Sequence, residues 1–153
     1  MEIYSLCPII DGFLIAQPMV LPGWAIDFEG EVYLLMAGVL ICLGGLGLNR
    51  WGRTYLGKYF VESTEIQQDH TLINTGPYHH IRHPIYSSLM TIATGLLLVN
   101  PSIWMGLATI YAYVDFSLAA RRDEKLLSEN LPGYAQYMTK TPRFIPQWNK
   151  RND

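Results

Sequence analysis

Two charge-free apolar runs limit what this chain can fold into. Val32 to Leu48 (VYLLMAGVLICLGGLGL) and Pro84 to Val114 each lack any charged residue, and both are of membrane length, since a helical crossing takes roughly 20 apolar residues. The first run predicts one span, at about residues 31–48, with flanks able to snorkel. The second is too long for one span. Asn100-Pro101-Ser102 interrupts it, because Pro101 disfavours helical geometry at Asn100 and suits the first turn of a new helix. A helical hairpin follows, with arms at about 84–99 and 101–120. The alternative, one long soluble core helix, would show a polar face that the run lacks. The stretch at about 3–24 is apolar but broken by Pro8, Asp11, Pro18 and Pro22. It is consistent with a further span, a re-entrant segment or an interfacial one, and without a basic n-region it does not read as a cleaved signal.

Charge orients these elements. All eleven Lys and Arg residues follow Asn49 and lie outside the apolar runs. One span and then a hairpin put every one of them on the same side, which the positive-inside rule makes cytosolic. Asp27, Glu29 and Glu31 fall on the other side. The expected fold is therefore all-α: a polytopic transmembrane helical protein, one domain over residues 1–153, in a bacterial inner membrane, or in the endoplasmic reticulum if the source is eukaryotic. A formal net charge of -2 with no concentrated basic arm argues against a nucleic-acid partner. Cys7 and Cys42 stand in apolar surroundings without CxxC spacing, which indicates neither a zinc site nor a disulfide framework.

The polar chemistry gathers between the first run and the hairpin, in a loop from Asn49 to His83 that runs into HTLINTGPYHHIRHPIY, His70 to Tyr86. Loops held by rigid helices commonly carry function. Gly76-Pro77 signals a turn, and His83-Pro84 an extended residue followed by a helix start. Arg82 and His83 thus stand at the positive end of a helix, where carboxylates or phosphates are attracted. Anchoring at phospholipid headgroups is the simpler alternative. The far arm, however, exits at Arg121-Arg122-Asp123-Glu124, and arms of about 16 and 20 residues differ by only about one turn. Both polar clusters should meet at one membrane level, and carboxylates add little to anchoring.

This mixture suits S-adenosylmethionine: an anion site for its carboxylate, acceptors for its ammonium and ribose, and aromatic surface from Tyr78 and Tyr86 for the adenine and, by cation–π attraction, the sulfonium. Methyl transfer is an in-line displacement that relies on alignment and desolvation, so no catalytic triad and no metal is required.

HTLINTGPYHHIRHPIY, followed some 35 residues later by RRDEKLL and then by PGYAQYMTKTPRFIP, resembles the isoprenylcysteine carboxyl methyltransferase family and its phospholipid-methyltransferase relatives, small bacterial members above all. The resemblance implies a cytosolic cofactor pocket between the loop and the hairpin ends, with His70, Leu72, Ile73, Tyr78, His83, Pro84 and Tyr86 at cofactor-contacting positions. It implies that Glu124, with Asp123 beside it, holds the cofactor, that Arg121 is the substrate-side cation, and that Arg82 orders the pocket. The family usually carries two consecutive glutamates where this chain has Asp123-Glu124. The implied partners are a lipophilic or lipidated substrate and the membrane lipid itself.

Three other classes compete. A histidine-box di-iron enzyme is suggested by His79, His80 and His83, but such centres need more ligands than four histidines supply. A nicotinamide-dependent membrane reductase would share the RHPxY segment, whereas the carboxylate pair and the RFIP tail favour a methyltransferase. A non-catalytic scaffold would use Tyr78, Tyr86, Tyr134 and Tyr137 as interfacial aromatics. The tail from Tyr134 to Asp153 has the composition of a cytosolic cover, with Pro132-Gly133 ending the second hairpin helix and Tyr134, Tyr137, Phe144 and Trp148 offering apolar contacts. A segment resting on headgroups is the alternative.

Overall fold

A computed structural model describes residues 31–57 and 72–146. The stretch at 3–24, Asp27, Glu29, His70 and Trp148 lie outside the described residues. Among the described residues the chain is helical without strands: α1 (Glu31–Leu56), α2 (Pro77–His80), α3 (Pro84–Val99), α4 (Ile103–Asn130) and α5 (Tyr134–Lys140).

Small residues bring α1 and α3 together. Gly38, Gly45 and Gly52 recur every seven residues on α1 and face Gly95 and Val99, then Ser88 and Ile92, then Pro84 and Ile85. Ascending numbers on one helix meet descending numbers on the other, so the pair is antiparallel. A seven-residue recurrence keeps one seam in register along two helices. The approach is close enough that a Cβ on Gly38 would lie 2.7 Å from the Gly95 carbonyl oxygen. In lipid, where apolar burial does not drive helices together, such backbone proximity and interhelical hydrogen bonds are what hold a pair. Asn49 Nδ2 donates to Ser88 Oγ at 2.8 Å across this seam, and Ser88 Oγ donates in turn to the Ile85 carbonyl at 2.6 Å.

The seam makes a prediction of opposite signs. Gly44→Ala meets nothing within 4 Å and should stabilise the protein by up to about 1 kcal/mol through helix propensity. Gly38→Ala must push two backbones apart and should destabilise it by about 1–3 kcal/mol. Equilibrium unfolding in mixed detergent micelles reads both, and two shifts of equal sign would refute the packing argument.

The hairpin folds at the expected place with a different cap. Asn100 closes α3, its N–H donating to the Leu96 carbonyl at 3.0 Å. Helix α4 starts at Ile103, not at Pro101: Ser102 is the N-cap, its hydroxyl accepting from the Met105 N–H at 3.2 Å. A serine hydroxyl satisfies an orphan N–H, which proline cannot do, so Pro101 is left outside the helix. The arms are joined by Thr109 Oγ1, which donates to the Ala93 carbonyl at 3.4 Å, and by a 2.9 Å hydroxyl contact between Thr94 and Tyr113.

The helices outrun the expected membrane arms: α4 continues past Ala120 to Asn130, close to the end that Pro132-Gly133 marks, and α1 runs past residue 48 to Leu56. Loss of apolar character ends a span but not a helix. Arg, Lys, Glu and Leu are good helix formers, and no breaker intervenes before Pro132-Gly133. Asn49 to Leu56 is accordingly helical rather than loop, and Tyr78 to His80 lie on the short helix α2.

Helices α1 and α4 are long and apolar enough to cross a membrane, whereas α3 is apolar but shorter, with 16 residues. The apolar side chains turn outward: Tyr33 is 79%, Leu40 67% and Ile110 63% exposed. Exposed apolar surface on that scale belongs against lipid, not water.

Candidate functional site

The loop, the hairpin arms and the return segment after α5 converge on one carboxylate. Glu124 is 3% exposed and both of its oxygens are engaged. Oε1 accepts from Arg82 Nε at 3.0 Å and from Arg143 Nε at 2.9 Å, with Arg82 Nη2 in ion-pair contact at 2.9 Å, and faces His83 Nε2 at 3.2 Å. Oε2 accepts from Arg143 Nη2. Two guanidinium groups hold this carboxylate as an anion, and an ionised carboxylate only accepts, which assigns the proton to Nε2 of His83. Burying such a group without these partners would be prohibitive.

Arg82 ties this ion cluster to the backbone. Its Nη1 donates to the carbonyls of Met138 at 2.6 Å and Thr141 at 2.9 Å, at the C-terminal end of α5, where free carbonyls and the helix dipole favour a cation. The chain on either side is fastened as well: the Arg82 N–H donates to the Pro142 carbonyl at 2.9 Å and the His83 N–H to the Arg143 carbonyl at 3.1 Å. Ser87 Oγ donates to the Phe144 carbonyl at 2.9 Å. Residues 142–144 therefore lie along the start of α3.

An aromatic stack stands beside the carboxylate. His83 and Tyr86 are nearly parallel with ring centroids 5.5 Å apart, Tyr86 and Phe116 are stacked at 5.7 Å, and Phe144 leans on His83 at 6.1 Å. The Tyr86 hydroxyl donates to Asp123 Oδ2 at 2.8 Å. Adjacent acids on α4 thus take different partners, Asp123 the phenol and Glu124 the cations.

A second, apolar cluster closes the rim below α5. Leu131, Tyr134 and Tyr137 are buried, with Leu72, Leu127 and Met138 against them. Gly133 carries a φ of 84° between α4 and α5, a left-handed turn that glycine makes without steric cost. The Tyr137 hydroxyl donates to the Tyr78 carbonyl, which pins α2 to α5. Burial pushes the Tyr137 phenol up to about 12 and raises Tyr78 and Tyr134 as well. These groups stay protonated donors across the physiological range.

Of the residues singled out in the sequence, Arg82, His83, Tyr86, Asp123 and Glu124 are brought together. Pro84 is buried directly behind them at the start of α3, and Tyr78 is buried on α2. Leu72 joins the apolar cluster, and Ile73 next to it is half-buried. Arg121 is exposed on α4 and takes no part in the ion cluster. His79 and His80 are exposed on α2 while His83 is buried on Glu124, so the three imidazoles do not converge. The residue that sequence reasoning missed is Arg143. Its signal was a lone arginine after Thr141-Pro142, in a segment otherwise read as an apolar cover.

The fold and rim define a class first: an integral membrane protein built on a helical hairpin, with an ion-paired polar cluster at one end. A structure of the eukaryotic intramembrane Ras methyltransferase ICMT shares this fold, with a TM-score of 0.71 at 20% identity over 95% of this chain and 54% of that one. The sequence profile of the isoprenylcysteine carboxyl methyltransferase (ICMT) family matches residues 36–129, and the chain belongs to that family. Among curated relatives, it is 31% identical over 117 residues to the nickel-cobalt-cadmium resistance protein NccN of Alcaligenes xylosoxydans xylosoxydans, covering 73% of this chain and 52% of that one. It is 29% identical over 129 residues to the protein-S-isoprenylcysteine O-methyltransferase of Schizosaccharomyces pombe, covering 82% and 54%. The chain spans about half the length of these curated relatives.

Proposed function

We propose that this chain is an S-adenosylmethionine-dependent methyltransferase that transfers a methyl group to a lipophilic acceptor at the cytosolic face of the membrane. Family membership supports the reaction class. The observation that carries the site is Glu124, the buried carboxylate on which the loop, the hairpin and the return segment all close.

The chemistry of these side chains fits the cofactor. An amino-acid moiety needs a cation for its carboxylate and an acceptor for its ammonium, and Arg82, Arg143 and Glu124 offer both within one ion cluster. The sulfonium calls for nearby negative charge and π-surface, which Asp123 and the His83–Tyr86–Phe116 stack provide. Leu72, Ile73, Tyr78 and Pro84 supply apolar wall, with His70 assigned by its position in the motif. When bound, the cofactor supplies an activated methyl group to a nucleophile. The chain's part is to orient that group and exclude water from it. Arg121, exposed on α4 one turn before Glu124, is assigned to the acceptor side, where a cation steadies an anionic lipid head.

Purified protein incubated with methyl-labelled S-adenosylmethionine should transfer label to a component of total membrane lipid or to a prenylcysteine analogue. Binding of NADPH in place of S-adenosylmethionine would remove this reading in favour of a reductase. Labelling of lipid amines against prenylcysteine carboxylates identifies the acceptor.

A further inference from the structure

We propose that Arg143 is the receptor for the carboxylate of the cofactor's amino-acid moiety, and that in the structure described here Glu124 occupies the place which that carboxylate takes. The inference rests on the methyltransferase reading and deepens it, naming a binding residue and an exchange of partners at the same site.

The two arginines on Glu124 are not equivalent. Arg82 is held at both ends of its guanidinium: Nε and Nη2 face Glu124, while Nη1 is fixed by the carbonyls of Met138 and Thr141. Only 9% of its side-chain surface is exposed. Leaving Glu124 would gain it no other partner and would disturb the end of α5. Among the described residues Arg143 makes its side-chain hydrogen bonds to Glu124 alone, through Nε and Nη2. Its side chain is 32% exposed and its guanidinium carbon stands 6.0 Å from the centre of the Phe144 ring. One arginine is built in, and the other is exchangeable.

The pair Arg143–Glu124 is also the complement of an α-amino acid. A zwitterion entering between them puts its carboxylate on the guanidinium that Glu124 releases, and its ammonium on the carboxylate that Arg143 releases. One ion pair becomes two, with no charge left alone in a buried place. Glu124 keeps Arg82 and His83 throughout, so it remains neutralised while Arg143 turns. The planar fork that now grips Glu124 through two nitrogens suits any carboxylate in the same bidentate way.

The test separates the amino-acid moiety from the rest of the ligand. S-adenosylhomocysteine and 5′-methylthioadenosine share the nucleoside and a neutral thioether, and only the first carries the amino acid. Calorimetry on the full chain in detergent should show Arg143→Gln weakening S-adenosylhomocysteine by about 10–100-fold, the range of charge-assisted hydrogen bonds. Binding of 5′-methylthioadenosine should stay within about twofold. Arg143→Lys, which keeps the charge but not the fork, should fall between. Should Arg143→Gln not fold, the lysine variant alone decides, since a loss confined to S-adenosylhomocysteine supports the assignment. Equal losses for both ligands would make Arg143 a purely structural residue and overturn it. Binding of neither ligand to the unaltered protein would instead remove the methyltransferase reading, and this inference with it.

Discussion

Glu124→Gln is expected to lower the stability of the folded rim by about 3–5 kcal/mol, the cost of stranding buried charges when one partner of an ion cluster is removed. The side chain keeps its shape but loses its charge, and one of its ends becomes an amide that donates where Arg143 and Arg82 also donate. Insertion into the membrane should be unaffected, because the apolar lengths of α1, α3 and α4 are unchanged. Binding of S-adenosylmethionine should fall severely in the same variant. Unfolding in detergent, followed by circular dichroism, measures the first effect and calorimetry the second. A variant as stable as the parent, within about 1 kcal/mol, would mean that Glu124 is not the joint described here.

The second large effect belongs to Arg82. Removing its side chain, as in Arg82→Met, leaves the Met138 and Thr141 carbonyls without their donor and takes one cation from Glu124. Unsatisfied buried acceptors cost about 1–3 kcal/mol each, and a buried carboxylate short of a partner costs more, so a total of about 3–5 kcal/mol is expected. Arg82→Lys should recover less than half of it. A lysine is a single point of charge and cannot reach Glu124 and the end of α5 together. Limited proteolysis should then cut between Tyr134 and Pro146 first, since Arg82 fastens that segment through the Met138, Thr141 and Pro142 carbonyls. Full rescue by lysine would show that charge alone matters there and that the fork does not.

Much of this architecture is legible in the sequence, for a physical reason. Apolar runs without charge can be buried only in lipid or in a core, and Asn100-Pro101 interrupts the longer of them. The meeting of Arg82 with Glu124 likewise followed from arms of similar length returning to one level, and the two are in contact. The helix ends were less legible. From Arg121 the side chains are mostly charged or polar, but the backbone has no reason to leave the helix until Pro132. Arg143 could not be found by pattern, because nothing local distinguishes it from the basic residues that anchor a membrane protein. Its partner is 19 positions away, and α5 must fold back before they meet. Arg82 and His83, where an anion is expected, both lie on a carboxylate of the chain itself, Glu124.

The heptad of glycines on α1 bears on how an acceptor dissolved in the bilayer can approach. With Gly38 against the Gly95 carbonyl and Gly45 against Ser88 and Ile92, the two backbones lie too near for a hydrocarbon chain to slip between them. Among the described residues that side of the hairpin is a wall. On the proposed function, the exposed α4 surface of Leu107, Ile110, Val114 and Leu118 is the described surface that leads a lipid tail toward Arg121.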